Sequence, residues 1–479
     1  MHEVTFDVRD VAGLAELVGD KRWSEVSQAW ESACADLAGK TVWHINATAN
    51  GGGVAEMLLA LMPLWRRLGM DVRWLVLDGD PEFFAITKRL HNFIHGFPGD
   101  GGQLEAAERR PYEATLGREL ATLREWVSPG DVVVLHDPQT AGLAAGMAEL
   151  GATVIWRSHI GRDEPNDLTD AGWAFLEPYI AAADRVIVSR LLYKPPSVPL
   201  EKVVVITPCI DAFTAKNIDI APDVARAVLV RVGLLEGEPD GEVSFPRRDG
   251  SPGTVRRHTD IPVAGGPLPA DARLVLQVSR WDRLKDMPGV MTGFVEGVHD
   301  ESVHLALCGP AVEGVSDDPE GAEVLAECVE AHAALPESVR RRVHLFCVPM
   351  DDVDENAYIV NALQRYADIV VQKSIFEGFG LTVTEAMWKG KPLVASAVGG
   401  IQDQIDHGID GMLLPDPADL AALGDALTVL LRDDALAARL GEAARQKVLM
   451  RFLGDGSLFA YARLITDLVA SKDPQADPV

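Results

Sequence analysis

The sequence predicts an α/β protein in two halves, each a parallel β-sheet covered by helices on both faces. Short β-rich runs recur along the chain with helical stretches between them, the pattern of a sheet buried on both sides. The series breaks once, over 236–270, in a stretch rich in Gly, Pro and charge, and then starts again. The 479 residues also exceed what one hydrophobic core ordinarily organises, so two domains are expected.

Taken in order, residues 1–40 are polar and helix-prone and read as an N-terminal extension packed on the first domain. That domain spans 41–212. TVWHINA (41–47) reads as a strand, 54–68 has helical periodicity, and DVRWLVL (71–77) is a strand again. DVVVLHD (131–137), TVIWRSH (153–159), RVIVS (185–189) and KVVVI (202–206) continue the series. A linker over 213–272 holds the 236–270 stretch, read as a surface insertion near the domain boundary, with a lid as the alternative. The second domain, 273–455, carries RLVLQVS (273–279), VHLALCG (303–309), RVHLFCV (342–348), DIVVQKS (368–374) and KPLVASA (391–397). Ala/Leu/Arg-rich helices follow from about 418, and 456–479 forms a C-terminal helix and tail.

With 72 acidic against 44 basic residues, the net charge of -28 opposes nucleic acid and anionic membranes as partners. A phosphorylated ligand would need positive charge gathered locally. The five scattered cysteines lack metal or redox spacing and read as reduced thiols. No apolar leader or membrane-length apolar run is evident, so the expected location is cytoplasmic. A homodimer is compatible with the sequence.

Four segments carry chemistry. In NATANGGGVAEML, Gly51, Gly52 and Gly53 follow a strand and open a helix, where bare backbone N–H groups can meet an anion; a tight turn is the plain alternative. In VSRWDRLKDMPG, Arg280 and Lys285 flank a turn after a strand, so both could reach one diphosphate. In SIFEGFGLTVTEAMWKGKP, Glu377 is placed in a loop at a helix mouth near Gly380. Glu385 is then more than a turn inside that helix, on a face turned to a cleft. Such a pair of carboxylates can accept from sugar and ribose hydroxyls, with Gly378 and Gly380 leaving N–H groups for a phosphate or hexose. His159 ends a strand and precedes a polar segment, the position where α/β sheets bind ligands. His136, Asp137 and Gln139 occupy the same position one strand earlier, and Thr87, Lys88 and His91, with Asn92 beside them, are expected on one polar helix side. The acids of MDDVDEN (350–356) read as a helix start and not as a metal site.

Together these segments resemble glycosyltransferase family four, over about residues 40 to 455. EGFGLTVTE matches the family's paired glutamates and SRWDRLKD its diphosphate clamp. The resemblance implies the GT-B fold, two Rossmann-like domains with parallel sheets facing an interdomain cleft. HINATANGGGVAEML, GDPEFFAITKRLHNFIHG, LHDPQ, WRSHI, PCIDAFTAKN, VNALQRYADIVVQKS and VGGIQDQI narrow it to the nucleotide-glucose-dependent trehalose synthases, whose pattern the trehalose phosphorylases share. By that resemblance Arg280 and Lys285 bind the donor diphosphate and Glu385 holds the ribose. Glu377, with Gly378 and the backbone at Phe379, Gly380 and Leu381, holds the donor sugar, and His159 contacts the hexose near the reacting centre. Gly51–Gly53 lie against the diphosphate, and the loop after CVPM (347–350) meets the base. Asn46, Lys88, His91, Asn92, Asp137, Gln139 and Asp163 are the acceptor-side candidates. Gly161 departs from the subgroup, which has an Asp there.

The implied reaction is retaining transfer of glucose from a nucleoside-diphosphate glucose to free glucose, giving trehalose, with no cofactor or metal required. The partners are then the nucleotide sugar and a small sugar acceptor. A phosphorylase working on inorganic phosphate is the nearest rival, and another small acceptor is a second alternative. An NAD-linked dehydrogenase would need GxGxxG, which NGGGVAE does not supply. A non-catalytic nucleotide-sugar binder would show no turnover.

Overall fold

The computed structural model describes residues 1–472 apart from 7, 9, 50–52, 240 and 313–318. The chain divides into two compact units: Met1–Ile210 together with the segment that begins at Phe452, and Asp211–Arg451.

The first unit contains strands β1 (His2–Val4), β2 (Val42–Asn46), β3 (Val72–Val76), β4 (Val132–His136), β5 (Thr153–Ser158), β6 (Arg185–Val188) and β7 (Val203–Val205). They form one sheet in the order β1-β3-β2-β4-β5-β6-β7, parallel except for β1 at the edge. The order reverses between β2 and β4, the point at which doubly wound sheets open a crevice at their carboxyl ends. Side chains alternate across the sheet. Trp43, Ile45, Val133, Leu135, Val154 and Trp156 enter one apolar core. The other face presents His44, His136 and Arg157. Against it the helix Gly53–Arg67 lays Trp65 and the helix Gly454–Lys472 lays Tyr461.

The second unit contains β8 (Ser244–Pro246), β9 (Pro252–Thr254), β10 (Pro262–Ala264), β11 (Arg273–Val278), β12 (Val303–Pro310), β13 (Val343–Val348), β14 (Ile369–Gln372), β15 (Leu393–Ser396) and β16 (Met412–Leu414). Its main sheet runs β10-β13-β12-β11-β14-β15-β16, with β10 antiparallel at the edge and a reversal of order between β11 and β14. Its core gathers Val275, Leu305, Leu307, Leu345, Val371 and Val394 beneath Phe294 and Leu427 of the covering helices.

Two expectations about boundaries are corrected and a third gains detail. The N-terminal stretch is more than a helical extension: its first residues add strand β1 to the sheet, with His2 opposite Val76. The helix Gly454–Lys472 starts inside the stretch assigned to the second domain yet packs on the first unit, where Asp455 pairs with Arg22 and Tyr461 receives a hydrogen bond from Arg157. The 236–270 stretch, read as a surface insertion, carries regular structure of its own. It folds as the hairpin β8–β9 and edge strand β10, because its arginines pair with the acids that open the helix Val353–Tyr366. Arg247 grips Asp352 with two bonds of 2.9 and 2.6 Å, and Arg256 reaches buried Glu355 at 2.6 Å. The acids of MDDVDEN do open a helix, with Asp352 accepting from the backbone N–H groups of Asp354 and Glu355.

Candidate active site

In the second unit, two strand ends on either side of the switch point are tied together. After β11 the chain makes a tight turn over Arg283–Lys285, capped by Asp282, whose carboxylate accepts from Leu284 N at 2.8 Å. Asp286 then takes a left-handed conformation, φ 47°, and caps the helix Met287–Gly297. Gln277 accepts from Lys373 N at 3.0 Å and donates to the Lys285 carbonyl at 2.8 Å, so it staples β11 to the segment after β14. Lys373, buried after β14, donates to the Asp286 carboxylate. This frame brings Lys285 Nζ within 2.6 Å of Glu377 Oε2. Ser374 Oγ donates to the same oxygen at 3.3 Å. Arg280 is 65% exposed and bonded to Asp282 at 3.1 Å.

The loop that carries Glu377 runs into the helix Leu381–Trp388 through Gly380, whose φ of 86° suits glycine. Two outside contacts hold it. Gly400 N donates to the Gly378 carbonyl at 2.9 Å, and buried Gln404 donates to the carbonyls of Phe379 and Gly380. Phe379 is itself buried. Glu385 lies one turn inside the helix and is buried, 3% exposed. Its Oε1 meets Lys216 Nζ at 2.9 Å, while its buried Oε2 has no hydrogen-bond partner among the described residues. Lys389, one turn on, donates to the Glu385 carbonyl, and burial pushes its ammonium down to about 7.

In the first unit, the middle of β2, the end of β4 and the residue after β5 bring three histidines into a row. His44 Nδ1 lies 2.9 Å from His136 Nε2, and His136 Nδ1 lies 3.0 Å from His159 Nε2. The rings stack at 5.2 and 5.3 Å between centroids. Burial, reinforced by the Arg157 guanidinium, keeps all three well below the usual imidazole range, His44 at about 3. Asp137 adopts φ 61°, rare for a residue with a side chain, and its carboxylate accepts from His159 N at 2.8 Å. Burial pushes Asp137 up to about 7, against that hydrogen bond and the nearby Arg157.

The remaining expected site residues are less concentrated. Gly53 is the first residue of its helix, and Gly51 and Gly52 lie outside the described residues. Asn46 is consumed structurally: it accepts from Trp74 Nε1 at 2.8 Å and donates to the Thr48 carbonyl at 2.7 Å. Thr87, Lys88 and His91 do not share one polar side. Thr87 is buried with its hydroxyl on the Phe84 carbonyl, Lys88 is exposed, and His91 packs edge-on to His95 at 4.6 Å. Asn92 sits under Gly99, where an added Cβ would come within 2.6 Å of it. Gln139 is half-buried, and Asp163 is held by buried Arg190. A Cβ on Gly161 would lie 2.2 Å from Tyr193, so the ring excludes the Asp of the subgroup pattern.

Residues 44–195 match the family model described as trehalose synthase, N-terminal domain, and residues 266–447 match that of glycosyl transferases group 1. A trehalose synthase from Rubrobacter xylanophilus is 35% identical over 439 residues, covering 90% of this chain and 92% of that one. This chain belongs to the trehalose synthase family of glycosyltransferases. Trehalose phosphorylase from Pleurotus pulmonarius is 27% identical over 92% of this chain and 58% of its own. Among solved structures, an α,α-trehalose-phosphate synthase (UDP-forming) from Burkholderia vietnamiensis superposes with a TM-score of 0.61 at 15% identity, covering 90% of this chain and 98% of that one. The fold is thus GT-B, with two Rossmann-like sheets.

Four residues that the structure packs against these candidates were not singled out from the sequence: His44, Arg157, Lys216 and Lys373. The first two had a signal. Alternation from the apolar positions of VWHIN, VVVLH and VIWRSH puts His44, His136 and Arg157 on one sheet face. Lys216 lies more than 160 residues from Glu385 in sequence, and no local pattern joins them.

Proposed function

We propose that this chain transfers glucose from a nucleoside-diphosphate glucose to the anomeric hydroxyl of glucose, with retention and without a metal, forming trehalose. The observation that carries it is the cluster at the mouth of the helix Leu381–Trp388. A buried carboxylate with one unsatisfied oxygen, Glu385, stands one turn from a loop that presents Glu377 paired to Lys285. A buried acceptor without a donor is what ribose hydroxyls complete. In the first unit, His159 contacts the hexose, and Asp137, Gln139, Lys88, His91 and Asn92 are the acceptor-side groups.

Breaking the glycosidic bond leaves charge on the departing diphosphate. Lys285 and Arg280 hold that charge, helped by N–H groups at Phe379, Gly380 and Leu381. Lys285 is already fixed by Glu377, so it needs little reorganisation when the phosphate arrives. Retention corresponds to attack by the acceptor hydroxyl on the face the diphosphate leaves, with its proton passing to the leaving oxygen. The test is to incubate the protein with UDP-, ADP- and GDP-glucose and free glucose and record the product by proton NMR. One α anomeric signal of a symmetric non-reducing disaccharide is expected. A reducing product or a β linkage refutes the assignment, and turnover from α-glucose 1-phosphate without nucleotide selects a phosphorylase instead.

A further inference from the structure

We propose that His44 and His136 are positioning residues that set which hydrogen-bonding role the Nδ1 atom of His159 offers to the donor sugar. The inference rests on reading His159 as the hexose contact. Each neutral imidazole carries one N–H and one bare nitrogen. Each N···N contact in the row needs a single proton between its atoms. Of all the ways to place three ring protons, two satisfy both contacts: every ring protonated at Nε2, or every ring protonated at Nδ1. Any mixed arrangement sets two N–H groups or two lone pairs face to face in a buried row.

The rings are therefore one unit with one sense. If that sense is Nε2–H, His159 Nδ1 is an acceptor; if it is Nδ1–H, the same atom is a donor. The far end is sealed. His44 Nε2 is buried with no hydrogen-bond partner among the described residues, beside the rings of Trp65 at 5.0 Å and Tyr461 at 6.4 Å. The near end is mostly buried but reaches solvent, and His159 Nδ1 makes no hydrogen bond among the described residues. Burial and the Arg157 cation keep a charged ring out of the row, so it does not resolve the choice by taking up a proton. A hydroxyl bound at Nδ1 and the two rings behind it must therefore share one sense, because a hydrogen bond on one nitrogen of a histidine fixes the role of the other.

Two measurements test this. Nitrogen-15 NMR of the ligand-free protein at neutral pH should show the three rings neutral and in one shared tautomer. A mixed set, or an imidazolium among them, overturns the relay. Kinetically, His136→Phe keeps a ring but removes both contacts. It should lower kcat by roughly 10- to 100-fold, by analogy with the loss of a partner that orients a metal-binding histidine, with the Kd of free nucleoside diphosphate unchanged. His44→Phe should lower kcat, while His44→Asn, which keeps a polar atom in place of Nδ1, should restore most of it. Equal losses in the two His44 variants would show a packing role and refute the proposal, as would an unchanged kcat in His136→Phe. If His136→Phe does not fold, the His44 pair and the spectrum decide. Wild-type protein that transfers from no nucleotide-glucose would instead sink the functional reading, and the tautomer set would still judge the relay.

Discussion

Lys285 and Arg280 stand five residues apart on one turn, yet they sit in different surroundings. Lys285 is 14% exposed and its ammonium neutralises Glu377, itself 13% exposed; Arg280 is open to solvent. Replacing either by Ala should cut turnover by roughly two to three orders of magnitude, the loss expected when a preorganised charge at the leaving group is removed. Their stabilities should differ. Lys285→Ala leaves a largely buried carboxylate without its cation and should lower the melting temperature, whereas Arg280→Ala should leave it unchanged. Calorimetric melting of both variants beside their rates checks this, and equal melting temperatures would contradict the reading of Lys285 as part of the framework.

The two glutamates separate in the same way. Glu385→Ala should weaken free nucleoside diphosphate, because the buried oxygen is assigned to the ribose. Glu377→Ala should spare free nucleotide and damage use of the whole donor. Titration calorimetry with both ligands reads the difference, and matched losses would undo the division.

Among the elements, the segment Glu377–Leu381 and its helix depend on a neighbour 20 residues further on. Gly400 approaches so closely that a Cβ there would lie 2.7 Å from Phe379 Cα and 2.8 Å from the Gly378 carbonyl. Backbone cannot yield as a flexible side chain can. Gly400→Ala should therefore push the Gly378–Gly380 loop from its place and raise the KM for the nucleotide sugar. Gly117, in the helix Ala106–Trp126, meets nothing within 4 Å, and Gly117→Ala should leave kinetics alone while stabilising by about 0.5–1 kcal/mol. Normal donor KM in Gly400→Ala would show that the loop is held otherwise. VGGIQDQI and EGFGLTVTE were both legible in the sequence. That one segment anchors the other was not, because the bond from Gly400 to Gly378 depends on how two βα connections lie side by side.

For the whole molecule, the buried histidine row makes stability depend on pH. His44, His136 and His159 stay neutral in the folded state below their ordinary value of 6.5, while the unfolded chain takes up protons there. The unfolded state then binds more protons, so stability falls as pH drops from 6.5 toward about 3, the value for His44. Asp137 acts oppositely: raised from 3.8 to about 7, it holds a proton in the fold and gains stability as pH falls through that window. Three groups outweigh one, so denaturant melts at about pH 7 and pH 5 should show a net loss on acidification. His44→Phe should flatten the slope, and an unaltered slope would show that this ring does not titrate on unfolding. Chelation tests a separate point. Asp351, Asp352 and Asp354 are each paired with an arginine of the β8–β9 region, so activity should survive excess chelator. Loss on chelation, restored by magnesium, would overturn metal independence.

By itself the sequence determined the two parallel sheets, their parallel strands except β16, the glutamate-bearing helix mouth and the family. These follow from local alternation, glycine placement and short motifs, all written within a few residues of one another. Only the tertiary structure decided that the last helix returns to the first unit, that 236–270 is an ion-paired hairpin and edge strand, and that Lys216 meets Glu385. It also decided that Tyr193 leaves no room for a side chain at Gly161 and that three histidines distant in sequence stand in one row. The physical reason is common to all of these: each depends on groups far apart in sequence that meet only after the sheets have set their order, and no local pattern carries that distance.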